Sequence, residues 1–331
     1  MTIPGDELLD RQLQAIFHPY AVRQMQDFFN KQPDQTARFV HYTSAEAALR
    51  IIEKKRIWMR NVTCMSDYSE VQHGFRILDG VFLSNRFHRS AFNEALDACA
   101  PGAAEEAIAL FKSWWADISL NSYITCLSEH DDKEDKNGRL SMWRAFGEHL
   151  VGIAIVLKVS SSLLNAGVFN LVVSPVAYLP KEDVEREFKR VLANITGECA
   201  FLKSVSRQRI IASVFNMLVA GVTCLKHDGF REEREWRLVY APNRWSSPLI
   251  ESSTEVVRGI PQIVHKIPFD ASVTGVPNFL DFSSIFDRLI IGPSQYPWSM
   301  AQAFKTALGK AGVSEARSLV VFSEIPIRTP G

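Results

Sequence analysis

Apolar residues recur along the chain with two different periods, which predict a mixture of strands and helices. The predicted strands cover residues 38–42, 56–60, 121–128, 151–159, 170–178, 235–240, 263–269, 288–291 and 319–322. The predicted helices cover residues 6–30 with a break at Pro19, 44–55, 70–99, 103–118, 180–225 and 299–311, with a short helix from Ser141. Because strands and helices follow no regular alternation, the pattern favours an α+β fold with a mixed, mainly antiparallel sheet and helical insertions.

The predicted elements divide the chain into an N-terminal helical segment, 1–36, and a single α+β domain, 37–331. A helical insertion is expected around 180–226. Its most apolar stretch, 210–225, is short and carries Ser213, Asn216 and Thr223. It therefore predicts a buried helix and no membrane span. The charged run 129–138 predicts a solvated loop.

Composition excludes several classes of function. The 37 basic and 37 acidic residues give a net charge of +0, so no global field favours nucleic acid or a basic partner. The five cysteines are scattered without a C-x-x-C pair, which indicates reduced thiols in a cytoplasmic protein and no structural metal site. Phosphate-binding glycine loops, zincin motifs and serine-hydrolase motifs are missing, so those enzymes are disfavoured.

A charged segment at 231–237 offers the first candidate site. If residues 233–240 form one strand, Glu233, Glu235 and Arg237 share one face. Trp236, Leu238 and Tyr240 then share the other face and point into the core. Carboxylates at this spacing lie about 6–7 Å apart. They could orient a substrate hydroxyl and stabilise a developing positive charge. A solvated strand face with cross-strand ion pairs remains an equal alternative.

A second polar segment, His41-Tyr42-Thr43, ends a predicted strand. Thr43 and Glu46 fit a capping box, so a helix should follow directly. A histidine there could bind a ribose hydroxyl and a tyrosine could stack on a flat ring, although both could equally serve the fold.

A third segment carries Asp67, Glu70 and His73, with a spacing that could hold a metal. The turn is more simply explained by acids that favour a helix N-terminus.

The chain resembles the bacterial family of unknown function DUF2971. The matching pieces, in chain order, are His41-Tyr42-Thr43-Ser44, Ile57-Trp58-Met59, the turn 65–70, Thr125-Cys126-Leu127-Ser128, Met142-Trp143 with Gly147 and Gly152, Phe230 with 232–237, and 289–293. The family turn reads Asn-Asp-Pro-x-x-Glu, whereas this chain has Ser66-Asp67-Tyr68-Ser69-Glu70. The chain is also similar, more distantly, to the ADP-ribosyltransferase superfamily, because three short motifs occur in the same order, at 41–43, 125–128 and 233–235.

That distant resemblance implies an NAD-dependent ADP-ribosyltransferase, in a toxin or phage-defence role. His41 would hold the adenosine side of NAD, and Tyr42 and Trp58 would pack on its rings. Thr43, Ser128 and Arg237 would complete the nucleotide site. Glu235 would stabilise the oxocarbenium-like transition state and Glu233 would orient the nucleophile of an unknown protein or nucleic-acid acceptor.

Two alternatives stay open. One is a non-catalytic ligand-binding or regulatory module in which the Glu/Arg cluster is a structural ion-pair network. The other is a nuclease-like enzyme with Asp67, Glu70 and Glu235 around a divalent ion. The enzyme hypothesis requires His41 and Glu235 to face one cleft.

Overall fold

The computed structural model describes residues 4–32, 36–64, 68–146, 152–161, 167–257 and 259–326. Its helices are α1 (Pro4–Phe17), α2 (Pro19–Asn30), α3 (Ala45–Lys54), α4 (Tyr68–Leu78), α5 (Arg86–Asp97), α6 (Ala103–Asn121), α7 (Leu140–Phe146), α8 (Lys181–Gly197), α9 (Cys199–Ser204), α10 (Arg207–Thr223), α11 (Phe282–Ile285) and α12 (Pro297–Lys310). None of them, within these ranges, combines the length and the apolar character needed to cross a bilayer.

The strands complete the α+β fold that the sequence predicts. They are β1 (Thr36–Ser44), β2 (Arg56–Asn61), β3 (Tyr123–Glu129), β4 (Gly152–Ser160), β5 (Val172–Pro175), β6 (Ala177–Tyr178), β7 (Leu225–Lys226), β8 (Glu235–Tyr240), β9 (Glu251–Val257), β10 (Ile260–Pro268), β11 (Phe286–Ile291) and β12 (Val320–Phe322). Strand β9 was not predicted, because Ser252, Ser253 and Thr254 leave it without an alternation of apolar and polar residues.

The chain folds into two compact units. The helical unit comprises Met1–Phe28, Asn61–Ser122 and Ser174–Arg231, and the sheet unit comprises Phe29–Arg60, Tyr123–Val173 and Glu232–Gly331. The predicted insertion at 180–226 contains α8, α9 and α10. The predicted domain boundary at residue 36 stays a prediction.

The helical unit is built around α10, which packs against α6, α4 and α1. Rings of Phe82, Phe92 and Phe188 meet in its core, with centroids 5.1–6.2 Å apart. Helix α4 approaches α10 so closely that a Cβ at Gly74 would lie 2.6 Å from the carbonyl oxygen of Val222. Glycine at this position therefore permits the contact between the two helices.

The sheet unit contains a ten-stranded sheet in the order β12-β11-β4-β1-β3-β2-β10-β9, with β8 paired to β3 and β5 paired to β8. Strands β11 and β12 run parallel, and β1 runs antiparallel to β4 along its whole length. Helix α3 begins after Ser44, whose side chain accepts a hydrogen bond from the Ala47 amide at 3.2 Å. The predicted cap at Thr43 is wrong by one residue, because β1 continues through Ser44.

Trp143 and Trp236 are buried as predicted, with 3% and 1% of their surfaces exposed. The Trp143 ring packs on the backbone of β4 and of the segment after β11. A Cβ at Gly292 would lie 2.8 Å from the Gly152 carbonyl oxygen and 3.0 Å from the Trp143 ring. The indole thus occupies space that a side chain at position 292 would need.

We expect Gly292→Ala to lower the free energy of unfolding by about 1–3 kcal/mol, because the added methyl group overpacks a backbone contact. The matched control is Gly309→Ala in α12, where a Cβ would meet nothing within 4 Å. That control should be neutral or stabilising by up to about 1 kcal/mol. Urea denaturation followed by tryptophan fluorescence measures both, and equal stabilities would contradict the packing.

Candidate functional site

The charged segment 231–237 does not form one continuous strand. Glu233 ends a 3-10 turn (Asp228–Glu233), and Arg234 has a left-handed backbone with φ of 44°. Strand β8 begins only at Glu235. The predicted alternation of Glu233 and Glu235 on one strand face is therefore wrong, because the left-handed residue interrupts the extended backbone between them.

Glu235 and Arg237 do share a face, but it is a buried one. They are 5% and 0% exposed, and Arg237 Nε donates to Glu235 Oε1 at 2.8 Å. The pairing register puts Glu235 beside Ser128 and Arg237 beside Cys126 on β3. This is the geometry of a buried ion pair, whose charges stabilise each other away from water.

His41 lies on the other side of the sheet from Glu235. Val40 is in register with Ser128, and Ser128 with Glu235, so these three side chains share a face. Because side chains alternate along a strand, His41 and Phe39 lie on the opposite face from Val40. On that face the Phe39 ring contacts Trp236, with ring centroids 5.1 Å apart. The expectation of one cleft for His41 and Glu235 therefore finds no support in this register.

The His41 ring instead contacts the backbone of β3. Its Nδ1 lies 2.9 Å from the carbonyl oxygen of Cys126. This contact comes just after the residue pair Val40 and Ser128, where the described pairing of β1 with β3 ends. Burial lowers the pKa of His41, which favours the neutral ring. A neutral imidazole can donate from Nδ1 to the Cys126 carbonyl. It thus supplies the hydrogen bond that a backbone N–H of a neighbouring strand would otherwise donate.

The other predicted nucleotide contacts are dispersed over the sheet unit. The Tyr42 ring is buried edge-on against Trp143 at 5.0 Å, its hydroxyl accepts a hydrogen bond from the Arg139 amide at 2.9 Å, and burial raises its pKa to about 12. Thr43 is in register with Ile153 on β4. The centre of the Trp58 ring lies 5.6 Å from the guanidinium carbon of Arg50 and 5.4 Å from the ammonium of Lys266. Tyr42 is therefore part of the core and is not an open stacking surface.

The charged run 129–138 is not the solvated loop that the sequence predicts. Its residues His130 and Glu134 are buried, and so is Arg139 at 7% exposure. The Arg139 guanidinium donates five hydrogen bonds: two to the Glu134 carboxylate at 3.1 and 3.2 Å, one to the carbonyl of Glu129 at 2.9 Å, and one each to the carbonyls of Glu232 and Glu233 at 3.0 and 2.9 Å. Arginine at this position joins two segments far apart in sequence.

Arg234 adds a second set of contacts to the same network. It donates to Asp131 at 2.6 Å and to Glu134 at 2.7 Å. Although burial favours the neutral acid, the hydrogen bond and charge of Arg234 lower the pKa of Asp131. The acids and arginines of these segments thus neutralise one another.

The first turn of α4 contributes a largely buried ion pair to the helical unit. Glu70 lies 2.9 Å from Lys226 Nζ, and that ammonium lies 4.8 Å from the centre of the Phe230 ring. Asp67 falls outside the described residues. Among the residues that are described, no group of three or more His, Cys, Asp or Glu side chains could hold a metal ion.

The helical unit also contains an apolar cavity of about 170 Å³. Its walls come from the α1–α2 junction, α4, the segment around β6, α8 and α10, and include Phe17, Val81, Phe188, Leu218 and Ala220. His18, Tyr20, Glu187 and Cys224 are the titratable side chains of the lining. No sequence motif could have revealed the cavity, because five separate segments form it.

Comparison with known proteins supports the predicted family resemblance. The family model described as protein of unknown function (DUF2971) matches residues 142–238. This stretch runs from α7 to the middle of β8 and includes Glu233, Glu235 and Arg237. No curated protein and no solved structure matches the chain. The resemblance to DUF2971 is confirmed, and the more distant one to ADP-ribosyltransferases stays a prediction.

We expect Arg237→Met to cost about 3–5 kcal/mol of unfolding free energy, because it removes the guanidinium that neutralises a buried Glu235. The double variant Glu235→Leu/Arg237→Met should cost less than this single change. Arg186→Met serves as control, since its 2.6 Å pair with Asp183 is at the surface and should be worth under about 1 kcal/mol. If the double variant loses as much stability in urea denaturation as Arg237→Met, or more, the buried pair is contradicted.

Proposed function

We propose that the chain is a ligand-binding module whose helical unit takes up a small, mostly apolar molecule. The observation that carries this proposal is the cavity of about 170 Å³. Protein interiors are close-packed, with few voids larger than a water molecule. An engineered apolar cavity of about 150 Å³ binds benzene. The cavity is therefore of the right size for a ligand with a single ring or a short chain.

The polar groups of the lining define the ligand further. Burial lowers the pKa of His18 to about 4, so its ring is neutral near pH 7 and can exchange one hydrogen bond with a ligand. Glu187 is held by Arg23 through two bonds of 2.7 and 2.8 Å, and by Arg190 at 2.8 Å. Since its charge is already matched, the pocket favours an uncharged ligand with at least one hydrogen-bonding group.

The charged segments of the sheet unit support a binding module over the enzyme hypothesis. Glu235 is paired with Arg237, and strand alternation separates it from His41. A dinucleotide would also bring phosphate charges into an apolar cavity, which is costly. NAD therefore stays a prediction from the distant resemblance, tested by incubation with labelled NAD and cell lysate.

Titration with indole, an uncharged aromatic molecule with one N–H group, tests the proposal by calorimetry and thermal melting. We expect saturable binding at one site and a melting temperature that rises with ligand concentration. Benzoate has a similar size but carries a charge, and it should bind at least about tenfold more weakly because its carboxylate must be desolvated.

A cavity-filling variant identifies the site. Ala220→Leu on α10 extends a side chain into the cavity and should reduce indole affinity at least about tenfold, while the folded state is retained. Ala212→Leu on the same helix lies outside the lining and should bind like the parent protein. Absence of indole binding, or equal binding by both variants, would refute the proposal.

A further inference from the structure

Strand β9 (Glu251–Val257) forms one end of the ten-stranded sheet. Within the described part of the chain it is paired with β10 alone, in a register that runs from Val257–Ile260 to Glu251–Lys266. All seven of its residues are at least partly exposed, on both faces. Its outer edge therefore presents backbone N–H and C=O groups to which another strand can pair.

The hairpin also exposes apolar side chains. Val256, Ile260 and Ile263 are 60%, 52% and 50% exposed. Val256 is in register with Pro261, and Thr254 with Ile263, so Val256, Pro261 and Ile263 share one face of the hairpin. Natural edge strands usually carry charged side chains, above all lysine, or proline against unwanted pairing. Strand β9 has no lysine or proline, and its charged residues are Glu251 and Glu255. An exposed strand edge beside an exposed apolar face is typical of an interaction surface.

We propose that β9 pairs antiparallel with β9 of a second copy of this chain, so that the sheet continues across a two-fold axis. A two-fold axis perpendicular to the sheet keeps every side chain on its own face and makes the contact self-complementary. The axis must then lie between the two strands, at the point where one residue of β9 is opposite its own copy. The charges on the strand select which residue that is.

The register centred on Thr254 places no two carboxylates directly opposite each other. It places Glu251 opposite Val257, Ser252 opposite Val256 and Ser253 opposite Glu255 of the second copy. Centring on Ser253 would set Glu251 opposite Glu255 twice, and centring on Glu255 would set that residue opposite itself. Like charges directly opposite each other are destabilising. The Thr254 register also uses all seven residues of β9.

Disulfide cross-linking tests this register directly. Residues directly opposite in an antiparallel pair have Cα atoms about 4.5–5.5 Å apart, which a disulfide can bridge. Thr254→Cys should therefore form a cross-linked dimer on mild oxidation, well above the level of the parent protein with its five free cysteines. Ser252→Cys and Val256→Cys are matched controls on the same face. Each alone should stay at the parent level, because its own copy lies about 13 Å away.

Mixing those two control variants should produce the cross-link that each lacks, since residues 252 and 256 lie opposite each other in this register. Sedimentation adds a readout without cysteine. Val256→Lys should shift the dimer to monomer, whereas Phe87→Lys, at a side chain of the helical unit that is 78% exposed, should leave it unchanged. A monomeric parent protein, or Thr254→Cys at the parent level, would overturn the proposal.

Discussion

The arrangement of the sheet unit's charged segments depends on one buried guanidinium. Arg139 is 7% exposed and holds two chain segments by their backbone carbonyls, Glu129 on one side and Glu232 and Glu233 on the other. A buried carbonyl left without a donor costs about 1–3 kcal/mol. A planar fork with five donors meets this requirement, which a point charge such as lysine cannot do. The left-handed turn at Arg234 and the start of β8 follow from where these carbonyls are held.

This network explains why a chemically rich segment is not by itself a site. The acids and arginines of 129–139 and 231–237 lie close together, but they are paired with each other and with backbone carbonyls. Buried ion pairs contribute little net stability but are costly to break from one side. The helical unit has the opposite character, because its cavity is apolar and the carboxylate of its lining, Glu187, is already paired with Arg23 and Arg190. Shape and desolvation therefore govern ligand binding in that unit.

Much of the fold was predictable because it depends on local patterns. The α+β class, the buried Trp143 and Trp236, and most helices and strands follow from apolar periodicity. Three features were not predictable for identifiable reasons. The strand break before Glu235 comes from a tertiary contact to Arg139, the burial of Glu134 comes from ion pairing, and β9 is a polar strand defined only by its pairing with β10. His41 was placed correctly in the first strand, although β1 runs on through Ser44. The face on which His41 lies depends on the register across β1, β3 and β8.

The unfolding free energy of Arg139→Lys tests the central claim most directly, with Arg144→Lys on the exposed side of α7 as the matched control. Lysine keeps the charge but cannot make the five hydrogen bonds of the guanidinium. The account predicts a loss of about 3–5 kcal/mol for Arg139→Lys in urea denaturation and a change within about 0.5 kcal/mol for Arg144→Lys. If both variants unfold at the urea concentration of the parent protein, Arg139 does not hold the charged segments together.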